Sequence, residues 1–140
     1  MIVLDTNVIS EPMKRDPSPV VMDWLNAQAA TTLFITAINQ AEVLYGIAAT
    51  QSSAAKDRLN KAYDAISGLF VGRILPFDSN AARRFAIIAG NAKLAGSPLP
   101  QADGYIAAIA ATHGFAVATR DQGPFAIAGI EVIDPWERDS

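Results

Sequence analysis

Met1-Ile2-Val3-Leu4-Asp5-Thr6-Asn7 opens the chain, and how this stretch is read decides the fold. Four apolar residues in a row read as a strand buried on both faces, the mark of a parallel sheet. Asp5 ends that run. In open α/β sheets, ligands bind in the crevice beyond the carboxyl ends of the strands. Asp5 therefore belongs at the sheet rim, with water in front of it and a low-dielectric layer behind. Whether other acids reach the same rim separates a structural residue from a metal site.

Outward from Asp5, Thr6 to Ser10 reads as a short helix stopped by Glu11-Pro12, and Pro17 and Pro19 mark a loop. Val20 to Ala30 puts Val20, Val21, Trp24 and Leu25 on one helix face. Thr32 to Ile35 is a second strand. Thr36 can cap a helix from Ala37 to near Thr50, with Ile38, Ala41, Leu44, Tyr45 and Ala48 as its apolar stripe. Gln51-Ser52-Ser53 is a break, and Ala54 to Leu69 is helical again. Arg73 to Pro76 is a third strand. Asp78 caps a helix from Ser79 to Leu94 that Gly96 and Ser97 close. Pro98 and Pro100 introduce another, which runs to His113 and stops at Gly114. Phe115 to Ala118 and Ile130 to Ile133 complete five strands, the last two joined by a turn-rich connection from Arg120 to Gly129. Strands alternating with helices predict an α/β fold with a mainly parallel sheet. No repeat or linker interrupts the pattern, so residues 1–140 read as one domain.

Composition narrows the chemistry. About half of the 140 residues are apolar and 18% are charged, which suits a folded core rather than disorder. With no cysteine, disulfides, thiolate metal sites and cysteine nucleophiles are excluded; with one histidine, a zinc cage is implausible. No signal-like segment or membrane-length apolar stretch is present, so a soluble, cytoplasmic protein is expected. A net charge of −3 argues against generic nucleic-acid affinity, but not against a nucleic-acid enzyme whose acidic site takes up metal.

Most of the fourteen acids have bland explanations. Asp78 reads as an N-cap. Asp16, Asp23, Asp57, Asp64, Glu131, Glu137 and Asp139 fall in polar loops or on exposed faces, and Glu11 and Asp134 each precede a proline. Four others stand apart. Asp5 and Asp121 follow strands, whereas Glu42 and Asp103 lie in the early parts of helices, on the same rim of an α/β layer. Each has a structural alternative: Asp103 can complement a helix dipole, Glu42 can pair with an arginine, and Asp121 can open a turn before Gly123-Pro124. Brought together, however, carboxylates repel, and divalent magnesium or manganese relieves that repulsion with hard oxygen ligands. Such a cluster suits water activation and phosphoryl chemistry without a serine or cysteine nucleophile.

The same residues carry a family resemblance. Ile2-Val3-Leu4-Asp5-Thr6-Asn7-Val8-Ile9-Ser10-Glu11-Pro12 resembles the opening of PIN-domain ribonucleases of the VapC toxin type. The similarity continues through Ala37 to Gly46 around Glu42, Gly72 to Asp78, Ala102 to Ala108, Val117 to Asp121 and Pro135-Trp136, and is strongest to the FitB-like branch. It implies an α/β/α sandwich and a magnesium-dependent endoribonuclease with Asp5, Glu42, Asp103 and Asp121 as catalytic metal ligands. Asn7 and Thr119 resemble the positions that orient those acids. The resemblance further implies RNA as substrate, a VapB-type antitoxin as inhibitor, a homodimer, and promoter DNA contacted only through the antitoxin. Many relatives carry asparagine at the position of Asp121 and an aspartate three residues later, where this chain has Pro124.

Two other classes stay open at this stage. A phosphatase could use Asp5 as nucleophile, as haloacid-dehalogenase-like enzymes do, although those carry a second aspartate where Asn7 stands. A toxin-like fold could also serve only to bind an antitoxin or RNA. Among the remaining features, His113 is expected to meet the last carbonyls of its helix and Trp24 to serve core or interface. Gly46 suggests a close helix contact. Arg83 and Arg84, with Lys93 and Arg120, could line a phosphate path, but Arg83 and Arg84 read better as a solvated face, and Arg120, beside Asp121, can instead pair with an acid.

Overall fold

The computed structural model describes residues 1–137, which leaves Asp139 outside the described residues. Five strands, β1 (Ile2–Leu4), β2 (Leu33–Thr36), β3 (Ile74–Leu75), β4 (Ala116–Ala118) and β5 (Val132–Ile133), pair in the order β3-β2-β1-β4-β5. Every pairing is parallel: Ile2 stands opposite Leu33 on one side and Ala116 on the other. The sheet is therefore wholly parallel, a step beyond the mainly parallel sheet expected. Strand order reverses at β1, so the crevice beyond its carboxyl end is the switch point where open α/β sheets accept ligands.

Seven α-helices accompany the strands among the described residues: α1 (Thr6–Ser10), α2 (Pro19–Ala27), α3 (Ala37–Ala48), α4 (Ser53–Gly68), α5 (Ser79–Leu94), α6 (Gln101–His113) and α7 (Gln122–Ile127). Adjacent strand residues point to opposite faces, and the core divides accordingly. Leu4 joins Val8, Ile35, Val43, Ile47 and Tyr63 on one face, whereas Val3 joins Ile106, Ile109, Val117 and Phe125 on the other. The result is an α/β/α sandwich with α1 to α4 largely on one side and α5 to α7 on the other.

Local capping follows the side chains available. Thr36 and Asn39 form a reciprocal capping box at the start of α3, and Asp78 Oδ1 accepts from the Ala81 amide at 2.9 Å. Gly114 closes α6 in the left-handed region at φ 70°. His113, in the last turn, stacks its ring on Phe115 at 5.3 Å.

Several expectations need correction. The buried stripe of α3 is Asn39, Val43 and Ile47; Leu44 and Tyr45 are exposed at 42% and 76%. A buried asparagine breaks the hydrophobic pattern, so the apolar residues beside it give the wrong phase. The connection from Arg120 to Gly129 contains α7, whose Phe125 is fully buried; the Gly-Pro pair that signals a turn sits inside its first helical turn. Helix α2 ends at Ala27, and Ala30–Thr32 forms a 3-10 turn. A Cβ at Gly46 would meet nothing within 4 Å, so it marks no close contact. The close approach is at Gly104, where a Cβ would lie 2.8 Å from Phe85 Cε2.

Candidate metal centre

β1 delivers Asp5 to the switch point, and its amide extends the ladder by donating to the Ala118 carbonyl at 2.9 Å. The side chain is 5% exposed. It also serves locally as the N-cap of α1, where Oδ1 accepts from the Thr6 amide at 2.8 Å. The second oxygen is engaged by the residue following β4, since the Thr119 hydroxyl donates to Oδ2 at 2.8 Å. Burial nonetheless pushes the Asp5 carboxyl above the ordinary aspartate range; the Thr119 and Thr6 hydrogen bonds oppose that rise, and Glu42 and Asp121 add to it.

Two short networks tie the other elements to Asp5. Asn39 Nδ2 donates to Thr6 Oγ1 at 3.1 Å and more weakly to Asp5 Oδ1 at 3.4 Å, while the Thr6 hydroxyl donates to Glu42 Oε1 at 2.7 Å. Glu42 is exposed and paired with this hydroxyl; no arginine among the described residues pairs with it, and the one ion pair among them joins Lys14 and Glu11. On the other side, Thr119 Oγ1 accepts from Asn7 Nδ2 at 3.2 Å and from the Asp121 amide at 3.0 Å. Asn7 Oδ1 accepts from the Arg120 amide at 3.2 Å. Thr119 and Asn7 thus fix the start of the segment that carries Asp121.

Asp121 is at the N-cap position of α7 but makes no capping hydrogen bond. Asp103 sits in the first turn of α6, where a helix dipole would favour its ionised form. Its carboxyl is instead pushed up to about 6, first by burial and then by Asp5, Asp121 and Glu42. Burial and mutual repulsion outweigh the dipole, and all four acids act within one electrostatic neighbourhood. Among the described residues, no three acidic, histidine or cysteine side chains are placed to hold a metal ion as they stand. The donor set still fits a hard divalent cation: all oxygen, excess negative charge, and two members held up in pKa by burial and by their acidic neighbours.

Other acids behave as expected or more strongly. Asp16, Asp23, Asp57, Asp64, Glu131 and Glu137 are exposed. Asp134 accepts from the Trp136 amide at 2.9 Å and from Gln122 Nε2 at 3.1 Å, which ties the end of β5 to α7. Glu11 departs from its loop assignment: it is 4% exposed and accepts from the Ser18 amide at 2.9 Å. Arg120 pairs with no acid among the described residues; its guanidinium lies 4.8 Å over the Trp136 ring. Thr6 and Asn39 are the site residues that sequence reasoning passed over. The Thr-x-x-Asn capping spacing at Thr36 was their available signal.

The chain matches the PIN domain family over residues 2–130. It is 46% identical over 138 residues to "VapC ribonuclease Y4jK" of Sinorhizobium fredii, spanning 98% of this chain and 99% of that one. It is 43% identical over 137 residues to "Toxin FitB" of Neisseria gonorrhoeae, spanning 97% and 99%. In the solved structure of FitAB bound to an IR36 DNA fragment, a chain 42% identical superposes with a TM-score of 0.93 over 100% of this chain and 99% of its own.

Proposed function

From a chain that belongs to the PIN-domain family, among the VapC-type toxins of toxin–antitoxin pairs, we propose a divalent-metal-dependent endoribonuclease held in check by an antitoxin. The observation that carries this reading is the network that ties Asp5 at the switch point to Glu42 through Thr6 and to the Asp121 backbone through Thr119. Acids placed where they oppose one another's ionisation are a poor structural device and a good cation site.

Asp5, Glu42, Asp103 and Asp121 would hold magnesium or manganese. The bound cation supplies positive charge for the phosphodiester oxygens and makes water more acidic. The chain's residues do the positioning. Asp5 is fixed through both oxygens, by Thr6 and Thr119. Thr6 orients Glu42. Asn7 and Thr119 hold the backbone entering Asp121. Asp103, raised by burial and by its acidic neighbours, would be held ionised by a bound cation.

The phosphatase alternative loses ground on the same contacts. Asn7 uses its amide donor on Thr119 and its carbonyl on Arg120, which leaves it no role as the second acid of such enzymes. A non-catalytic binding module need not show metal affinity that disappears when Glu42 is neutralised, so metal titration separates it from the enzyme.

The partner in this reading is a VapB-type antitoxin, with promoter DNA reached through that partner, as FitAB is found on DNA. An antitoxin arginine entering the acids would compete directly with metal. No helix of the described residues is long and apolar enough to cross a membrane, and action in the cytoplasm, beside RNA, is part of the proposal. So is a homodimer, for which exposed Leu44 and Tyr45 offer apolar surface. The test is cleavage of structured RNAs by the purified protein with magnesium or manganese. Cleavage that vanishes in Asp5→Asn supports the reading; equal cleavage by that variant identifies a contaminant.

A further inference from the structure

A groove of about 300 Å³ takes in Thr6 and Glu42 of the acid site together with Lys14 and Arg58. Val43, Ile47 and Leu59 give it an apolar lining. Gly46 keeps one flank open, since even a Cβ there would touch nothing within 4 Å. Lys14 and Arg58 also line it. Buried Glu11 is held by the Ser18 amide and grips Lys14 Nζ at 2.8 Å, while the lysine side chain stays 57% exposed. Arg58 donates through Nη1 to the Met13 carbonyl at 3.0 Å, yet its buried Nε has no hydrogen-bond partner among the described residues.

We propose that the groove takes the nucleotide flanking the cleaved phosphodiester, its phosphate on Lys14 and Arg58 and its base over Val43, Ile47 and Leu59. The inference rests on the ribonuclease reading, because a strand lying at the acids would continue past Glu42 into this groove. Charge selects the occupant. The chain carries net charge −3, and Arg58, in no ion pair among the described residues, with the half-exposed Lys14 in the same groove as Glu42, matches a polyanion that must approach an acidic site. A protein segment lying over the apolar lining would leave Arg58 without an anion unless it carried an acid there. Phosphate contacts of this kind set register without reading sequence.

The test is single-turnover cleavage, in magnesium, of a single-stranded RNA that the parent protein cuts, followed against protein concentration and salt. Lys14→Ala removes one cation, and Gly46→Leu fills the groove without altering an acid or removing a side-chain contact. Lys14→Ala should raise the half-saturating concentration roughly three- to tenfold and lower the log–log salt slope by about 0.7, the loss of one phosphate contact on a single strand. Gly46→Leu should raise the half-saturating concentration by a similar factor, with the limiting rate unchanged in both variants. Parent-like half-saturation and salt slope in both variants would overturn the proposal. So would variants that bind a VapB-type antitoxin less well while cutting RNA normally, since the groove would then belong to a protein segment. A parent protein that cuts no RNA would remove the ribonuclease reading and this inference together.

Discussion

Thr119 and Asp5, 114 positions apart in the chain, are joined by a hydroxyl-to-carboxylate hydrogen bond of 2.8 Å at the ends of adjacent parallel strands. The same hydroxyl oxygen accepts from Asn7 Nδ2 and from the Asp121 amide. A single buried side chain therefore aligns two of the four acids and the asparagine between them. Thr119→Val keeps the shape but leaves those donors unpaired, at a cost of about 1–3 kcal/mol. Calorimetry should show a folded variant with a lower melting temperature and manganese affinity reduced roughly 10- to 100-fold, the range for lost support behind a metal ligand.

Asp103 makes the site sensitive to pH. Its carboxyl titrates at about 6 in the metal-free protein, pushed there by burial and then by Asp5, Asp121 and Glu42. Below that pH a cation must displace a proton to bind. Metal affinity should therefore climb by up to about tenfold per pH unit on the acid side and level off above about pH 6. Magnesium titrations across pH check this; a flat profile would contradict it.

The same shift has a stability consequence with a definite sign. Because the folded-state value lies above the ordinary 3.8, the stabilising contribution present below that value is lost as pH rises through about 6. Asp103→Asn removes the ionisation. Thermal unfolding in chelator above pH 6 should show the variant to be more stable than the parent, and added magnesium should reverse the order.

Glu11 works the other way. The Lys14 hydrogen bond, against an opposing contribution from burial, holds its carboxyl below the usual 4.5, aided by the Ser18 amide. Its contribution is present above that value and fades as the pH falls through the lower folded-state value. Glu11→Gln should therefore unfold at a lower temperature at pH 7, and the gap to the parent should narrow in acid.

Gly104 is the tightest glycine in the fold. A Cβ there would lie 2.8 Å from Phe85 Cε2, and Phe85 is itself packed on Tyr105 at 4.7 Å between ring centroids. Gly104→Ala should cost about 1–3 kcal/mol through overpacking of α6 on α5 despite better helix propensity. Denaturant unfolding measures it directly.

How much of this was legible in the sequence depends on what each residue's neighbours say. β1 and Asp5 were plain because an apolar run ending in an acid has few other readings. Helices α5 and α6 were plain because Asp78 and Gly114 mark a start and a stop. The phase of α3 was hidden because its buried face includes Asn39, a polar residue satisfied by Thr36, Thr6 and Asp5. Helix α7 was hidden by Gly123-Pro124, and the burial of Glu11 by a proline that usually signals a loop. The positions of the four acids could be read one at a time, whereas their common electrostatic field appears only once β1, α3, α6 and β4 are assembled.

The proposed function depends on Asp5, Glu42, Asp103 and Asp121 together binding a divalent cation. Manganese titration by calorimetry at pH 7.5, on the parent and on Asp103→Asn, addresses this most directly. Measurable binding by the parent is expected, with at least a roughly tenfold weaker affinity in the variant, given that a ligand is lost. Equal affinity in the two proteins, or no binding by the parent, would contradict it.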